Sequence, residues 1–167
     1  MYILERTLVV PHPRDELFPF FADAANLERL TPAFLGFTIL TPLPIVMHAG
    51  TLIDYRIRLS GIPMRWRTLI ESFDPPHRFV DRQLEGPYKL WHHTHTFREV
   101  PGGTELGDRV QYELPLGPLG RLAHAVMVER QLKTIFDYRT KVMTEMFGTM
   151  NRTASNVSSH VAPEPQR

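Results

Sequence analysis

Residues 51–76, TLIDYRIRLSGIPMRWRTLIESFDPP, contain two runs in which apolar and polar side chains alternate. Ile53 and Ile57 share one face of the first run with Arg56 on the opposite face, and Trp66 and Ile70 share one face of the second. Alternation with a period of two residues indicates β-strands. Because only the short segment SGIP connects the two runs, we predict that they form an antiparallel hairpin.

Three more strand-like runs follow at residues 77–86, 89–100 and 102–115, and their connections DPP, EGPY and PGG are equally short. We therefore predict a meander of antiparallel strands. One face of its first hairpin is polar and consists of Arg56, Arg58, Arg65, Arg67 and Glu71. Because acidic residues are interleaved with these arginines, the pattern favours a solvated sheet face over a nucleic-acid surface.

After the meander, the apolar pattern changes to a helical period. The apolar stripe consists of Leu119, Leu122, Val126, Leu132, Ile135, Phe136, Val142, Met143, Met146 and Phe147. Pro118 precedes it and Gly148 follows it, as is typical of helix ends. The stripe predicts a long helix whose apolar face covers the apolar face of the sheet.

The residues before the hairpin predict one strand over 2–10, two short helices and a short strand over 36–42. Pro13 is suited to begin the first helix, and Pro19 should kink or shorten it because proline is unfavourable inside a helix. Asp23 is expected to cap the second helix, which should end at Pro32.

The 167 residues suit a single domain, which we predict over residues 1–148. Residues 149–167 are rich in Ser, Thr, Asn and Pro and are expected to form a disordered tail. A net charge of +1 gives no general attraction to nucleic acid, and the lack of cysteine excludes disulfides and cysteine nucleophiles. With no signal peptide and no run near the roughly 18 apolar residues of a membrane span, a soluble cytoplasmic protein is expected.

The predicted order is strand, two short helices, six antiparallel strands and one long helix, which is an α+β arrangement. It resembles the helix-grip fold of the START and birch-pollen-allergen (SRPBCC) superfamily. The local sequence resembles a bacterial ligand-binding branch related to polyketide cyclase/dehydrase-like proteins, in the segments FFADAANLERLTP, GTLIDYRIRLSGIPMRWRT, FVDRQLEGPYKLWHHTHTF, LGDRVQYELP and IFDYR. The resemblance implies a curved seven-stranded sheet wrapped around the C-terminal helix, and a cavity between them. Members bind lipids, sterols, quinones, aromatic polyketides or plant hormones, and some of them are enzymes.

Three histidines lie within the stretch KLWHHTHTF, residues 89–97. Because side chains alternate along a strand, His93 and His95 share a face with Trp91 and Phe97, and His92 lies on the other. The face with the large apolar residues is the expected inner face. His93 and His95 should therefore point into the cavity.

Neighbouring strands offer partners for these two histidines. The alternation places Asp108 on the inner face of its strand, and a matching phase places Asp81 and Gln83 inward. Three interpretations remain open: a hydrogen-bonded polar network in the cavity wall, an acid/base pair for catalysis, and a metal site. Arg130 also lies near the line of the helix stripe, where a solvated side chain is the preferred interpretation.

We predict that the protein binds a small lipid-like or aromatic molecule between sheet and helix, with no resident metal or cofactor. The predicted ligand-binding residues are Tyr55, Met64, Trp66, Thr68, Gln83, Tyr88, Trp91, His93, His95, Asp108, Tyr112 and Phe136. One alternative is a cyclase or dehydratase in which His93 or His95 works with Asp108 or Asp81. Another is a protein-interaction module whose core is filled.

Overall fold

A computed structural model describes residues 1–59, 61–119 and 127–150 of the chain. The strands are β1 (Tyr2–Val10), β2 (Thr38–Ile39), β3 (Leu52–Leu59), β4 (Ile62–Asp74), β5 (Arg78–Glu85), β6 (Leu90–Val100) and β7 (Gly103–Glu113). The α-helices are α1 (Arg14–Ala22) and α2 (Glu129–Phe147), and single 3₁₀ turns occur at Ala24–Leu27 and Ala33–Leu35.

The seven strands form one antiparallel sheet in the order β1-β7-β6-β5-β4-β3-β2. The predicted meander is therefore confirmed, and β1 pairs with β7 to extend the sheet on the far side. Register shifts between Arg67 and Thr68 and between Ile70 and Ser72 interrupt the β4–β5 pairing. Such irregularities bend a strand, so they contribute to the curvature of the sheet.

Helix α2 lies along the concave face of the sheet and buries Leu132, Phe136 and Met143 against it. These residues belong to the predicted apolar stripe, and Gly148 follows the helix as expected. The part of the predicted helix at residues 120–126, including Leu122 and Val126, lies outside the described residues, as does the predicted tail from residue 151. Within the described residues, Met150 donates its backbone N–H to the carbonyl oxygen of Val9 at 2.9 Å.

The short elements between β1 and β3 differ from the sequence prediction. Pro19 lies inside α1 on its exposed side, so the helix continues for nine residues although one backbone hydrogen bond is missing. The second helix is a 3₁₀ turn, in which the side chain of Asp23 accepts the backbone N–H of Ala25 at 2.9 Å. The strand predicted over 36–42 is reduced to Thr38–Ile39, and Gly36 before it adopts a left-handed conformation.

Ion pairs order the outer face of the hairpin. Asp54 on β3 accepts hydrogen bonds from Arg67 at 2.8 and 2.9 Å and from Arg65 at 3.1 Å. The hydrogen bond from Arg67, which outweighs burial, lowers the pKa of Asp54 to about 2. Within the described residues, no helix is long and apolar enough to cross a membrane.

Helix α1 is held to the sheet by an apolar contact that can be tested. Leu17 is 1% exposed and packs in the cluster that joins α1 to β6 and α2. We expect Leu17→Ala to lower the free energy of unfolding by about 3 kcal/mol, because it removes buried methyl groups and leaves a cavity. Leu84→Ala, at a position that is 45% exposed, is the matched control and should cost less than about 0.5 kcal/mol in the same urea titration. Equal losses in the two variants would contradict this packing.

A candidate ligand cavity with a buried histidine–aspartate cluster

A cavity of about 180 Å³ lies between the concave face of the sheet, helix α2 and the segment that follows α1. Aromatic rings form much of its wall. Trp66 stacks on Tyr55 with ring centroids 5.8 Å apart, and it meets Trp91 edge-on at 5.4 Å. Tyr88 contacts Trp91 at 4.8 Å, and Phe136 of α2 closes the opposite side. Such rings offer large, well-positioned apolar area to a ligand.

The cavity brings together most of the residues predicted from the sequence. Its wall includes Tyr55, Trp66, Thr68, Tyr88, Trp91, His93, His95 and Phe136, together with Asp81. The strand residues among them point inward because they occupy alternate positions on β3, β4, β5 and β6. Whether each of them contacts a ligand remains a prediction.

Four of the predicted residues do not line the cavity. Met64 packs against the edge of the core, and Tyr112 is 1% exposed and stacks on Tyr2 at 5.5 Å. Gln83 stabilises the turn before β6, where its amide nitrogen donates to the carbonyl oxygen of Tyr88 at 2.6 Å. Asp108 lies behind the histidines, where they separate it from the cavity.

His93 and His95 form the centre of a buried polar cluster. Strand β6 lies between β5 and β7, so its inward side chains meet inward side chains from both neighbours. In the pairing, Asp81 is opposite His93 on one side and Asp108 is opposite His95 on the other. Both histidines are buried, and their ring centroids are 3.8 Å apart.

His95 contacts a carboxylate at each ring nitrogen. Its Nε2 lies 2.8 Å from Oδ2 of Asp81, and its Nδ1 lies 3.0 Å from Oδ1 of Asp108. An ionised carboxylate only accepts hydrogen bonds, so both nitrogens must carry a proton for both contacts to be favourable. Burial alone would lower the pKa of His95, but the two carboxylates outweigh burial and raise it. Both contacts therefore favour the imidazolium form of His95.

His93 is in the opposite protonation state. Its Nε2 donates a proton to Oδ1 of Asp108 at 2.8 Å, whereas its Nδ1 is 3.7 Å from Oδ2 of Asp81, beyond hydrogen-bond distance. Burial, followed by the positive charge of His95, lowers the pKa of His93 despite its bond to Asp108. A neutral imidazole thus lies beside a charged one in the cavity wall.

Arg139 of helix α2 completes the cluster. Its Nε lies 3.4 Å from Oδ2 of Asp108. Burial alone would raise the pKa of Asp108, but the charge of Arg139 and the hydrogen bonds from the histidines hold it well below its usual range. The pKa of Asp81 is also lowered, because the hydrogen bond from His95 and the surrounding positive charge outweigh its burial. Asp81 and Asp108 thus carry two negative charges, which His95 and Arg139 balance.

Arg139 was missed by the sequence prediction, although the signal was present. It continues the inward spacing of Leu132, Phe136 and Met143 at helical intervals, and a charged residue on an apolar stripe is informative. The sequence singled out Arg130 instead. Arg130 is exposed, in agreement with the expected solvated side chain. Helix α1 and the segment after it also contribute lining residues, such as Phe21 and Leu30. The sequence could not identify them as site residues, because their spacing is that of ordinary core residues.

The metal hypothesis rests on Asp81, His93 and His95, whose potential ligand atoms lie within 4.8 Å of one another. These residue types are suitable ligands for a transition metal. However, both nitrogens of His95 already face carboxylates, and Arg139 adds a positive charge beside them. A metal would have to displace this set of contacts, so the geometry favours the hydrogen-bonded network.

Comparison with known proteins identifies the family of this chain. A sequence profile of the family described as polyketide cyclase/dehydrase and lipid transport matches residues 10–148. The chain belongs to this family. The family description places the chain among proteins that bind hydrophobic ligands, and the predicted superfamily is thereby confirmed.

Solved structures share the fold at low sequence identity. Protein TTHA0849 from Thermus thermophilus is 17% identical with a TM-score of 0.68, over 86% of this chain and 94% of that one. Protein CV1439 from Chromobacterium violaceum is 12% identical with a TM-score of 0.67, over 89% and 99%. Ara h 8.0201 is 17% identical with a TM-score of 0.55, over 85% and 97%. These similarities confirm the helix-grip fold. No curated protein has a significant sequence match.

The charge state of His95 predicts how stability depends on pH. Because the pKa of His95 is raised in the folded state, its stabilisation is complete below about pH 6.5, its ordinary value, and is lost as the pH rises through the folded-state value. We expect His95→Gln to lower the free energy of unfolding by about 3 kcal/mol near pH 6, because it leaves a buried carboxylate uncompensated. The loss should be smaller near pH 9.

Urea unfolding of both proteins across this pH range measures the difference. His92→Gln is the matched control, since His92 lies on the outer face of the same strand. It should change the free energy of unfolding by less than about 0.5 kcal/mol at either pH. A loss in His95→Gln that is independent of pH would show that His95 is not an imidazolium.

Proposed function

We propose that this protein binds a small, largely apolar molecule in the cavity and removes it from water. The observation that carries the proposal is a cavity with aromatic walls, in which the histidine–aspartate cluster lies on the sheet and Asp23, Asn26 and Thr31 contribute polar groups from the segment after α1. Burial of apolar surface provides affinity, at about 25 cal/mol per Å². The cluster of Asp81, His93, His95 and Arg139 orients the polar end of the ligand.

The volume of the cavity limits the size of the ligand. It exceeds the roughly 150 Å³ of an apolar cavity that binds benzene. We infer that a compound with one or two fused rings, or an acyl chain of comparable volume, is the suitable class. The rings of Trp66, Trp91 and Phe136 in the cavity wall favour an aromatic ligand, since such rings offer large apolar contact area.

Fluorescence tests this proposal with an uncharged two-ring probe, the naphthalene ketone prodan. The only two tryptophans of the chain, Trp66 and Trp91, both line the cavity. Bound prodan should therefore emit at shorter wavelength and receive energy from tryptophan. Ile57 also lines the cavity and is buried, so Ile57→Phe should fill space and weaken prodan binding about tenfold or more.

Ile62→Phe is the matched control, because Ile62 is 59% exposed and lies outside the cavity wall. It should leave the affinity for prodan unchanged. Circular dichroism would establish that both variants are folded. Equal affinity of Ile57→Phe and the unsubstituted protein would place the probe on the surface and reject the cavity as the binding site.

A second candidate function is acid/base catalysis on a bound carbonyl compound, as in a cyclase or dehydratase. The observation that favours it is the neutral imidazole of His93, which lines the cavity and is oriented by Asp108 at 2.8 Å. A histidine held by a carboxylate in this way is suited to accept a proton. We rank this catalytic function second because each charged side chain in the cluster is already paired with a side chain of opposite charge.

Hydrogen exchange separates the two functions. An enzyme of this type should accelerate the exchange of methyl protons of 2-acetylnaphthalene in D₂O, which NMR follows directly. His93→Gln, which retains a donor toward Asp108 but no base, should abolish the acceleration. If the unsubstituted protein binds the ketone without accelerating exchange, only the binding function remains.

A further inference from the structure

Two side chains in the cavity wall have buried donors that the described residues do not fully satisfy. The indole Nε1 of Trp66 has no hydrogen-bond partner among the described residues, and the guanidinium Nε of Arg139 has only the long ion-pair contact of 3.4 Å with Oδ2 of Asp108. A buried donor without an acceptor is costly, by about 1–3 kcal/mol. An acceptor on a bound ligand would satisfy these donors.

The charges of the cluster indicate what kind of acceptor is suitable. Asp81 and Asp108 are balanced by His95 and Arg139, and His93 is neutral. An anionic ligand would add one negative charge to this balanced set in a dry environment, which is unfavourable unless a proton accompanies it. His93 is placed to take that proton, because its Nδ1 is not hydrogen-bonded and its ring lies in the wall of the cavity.

We propose that the cavity recognises an organic anion, an aromatic or lipid-like molecule with an acidic group, and that His93 takes up one proton when the anion binds. Arg139 and the indole N–H of Trp66 donate to the acidic group. The proposal rests on the binding function above and names its ligand class. Arg139 is positioned for this role by α2 and by Phe21, whose ring lies 5.8 Å from the guanidinium carbon.

The groups that face His93 determine whether it can gain a proton. Asp81 approaches it from β5, Asp108 from β7 and His95 from the same strand, and Arg139 of α2 acts on both carboxylates. Its other neighbours are the rings of Trp91 and Phe136, which carry no charge. A bound anion adds a negative charge and thereby favours the protonated form of His93.

A pair of matched probes tests the proposal: naphthalene-2-sulfonate, which stays ionised at all working pH values, and its neutral isostere naphthalene-2-sulfonamide. Affinity is measured by displacement of prodan, and proton uptake by calorimetry near pH 6.5 in buffers of different ionisation enthalpy. We expect the sulfonate to bind about tenfold tighter than the sulfonamide, with uptake of about one proton. The sulfonamide should bind without proton uptake.

Three variants assign the effect to residues. Arg139→Met should weaken sulfonate binding about tenfold or more and leave the sulfonamide little changed. Arg139→Lys keeps the charge beside Asp108 and should recover part of the sulfonate affinity. It replaces Arg139→Met in the comparison if the Met variant does not fold. His93→Gln cannot take up a proton, so it should bind the sulfonate weakly and without proton uptake.

The outcomes separate this proposal from the binding function. If the sulfonamide binds at least as tightly as the sulfonate, the cavity binds ligands but the anion proposal is wrong. If proton uptake persists in His93→Gln, His93 is not the proton acceptor and that part is overturned. If neither probe displaces prodan and prodan itself does not bind, the binding function fails and the anion proposal fails with it.

Discussion

Two carboxylates beneath one helix, Asp108 buried and Asp81 partly buried, impose the main constraint on this structure. Asp81 and Asp108 lie on the inner face of a sheet that is otherwise lined by aromatic and aliphatic side chains. An isolated buried carboxylate is strongly unfavourable, so each requires a cation and hydrogen-bond donors at close range. His95 provides donors to both, and Arg139 provides the second positive charge. The arrangement therefore depends on the sheet and helix α2 being assembled together.

The cluster also divides the interior into two apolar regions. On one side, Phe18, Phe21 and Phe97 pack tightly between α1 and the sheet, with ring centroids 5.1 and 5.2 Å apart. On the other side, Trp66 and Trp91 leave the space that forms much of the cavity. A ligand in this space would meet apolar walls, with polar groups supplied by the cluster on the sheet and by Asp23, Asn26 and Thr31 after α1. This separation is typical of small-molecule sites, in which apolar area gives affinity and a few polar groups give orientation.

The same geometry relates binding to the chemistry for which the family is named. A neutral imidazole beside an imidazolium presents a base and an acid within one cavity wall, as acid/base catalysis requires. In the proposed anion site, the same pair of histidines would respond to charge, because a proton could move onto His93 when an anion enters. The two proposed functions, binding and catalysis, would use the same residues. They would differ in the chemical groups that the ligand presents to the cluster.

The alternation in residues 51–115, the short connections between runs and the apolar stripe of the C-terminal helix predicted the order of strands and the helix that covers them. These features are local periodicities, which a sequence displays directly. The inward direction of His93, His95 and Asp108 followed from the same alternation. The shortened β2 and the 3₁₀ turn after α1 were not predictable, because backbone conformation in short irregular segments depends on distant contacts. Only the tertiary structure decided that Arg139 joins the cluster, that Asp108 lies behind the histidines and that the pKa of His95 is raised while that of His93 is lowered. Each of these features depends on distances between side chains that come from separate strands and a helix. Such distances, and the electrostatic energies that follow from them, exist only in the folded chain.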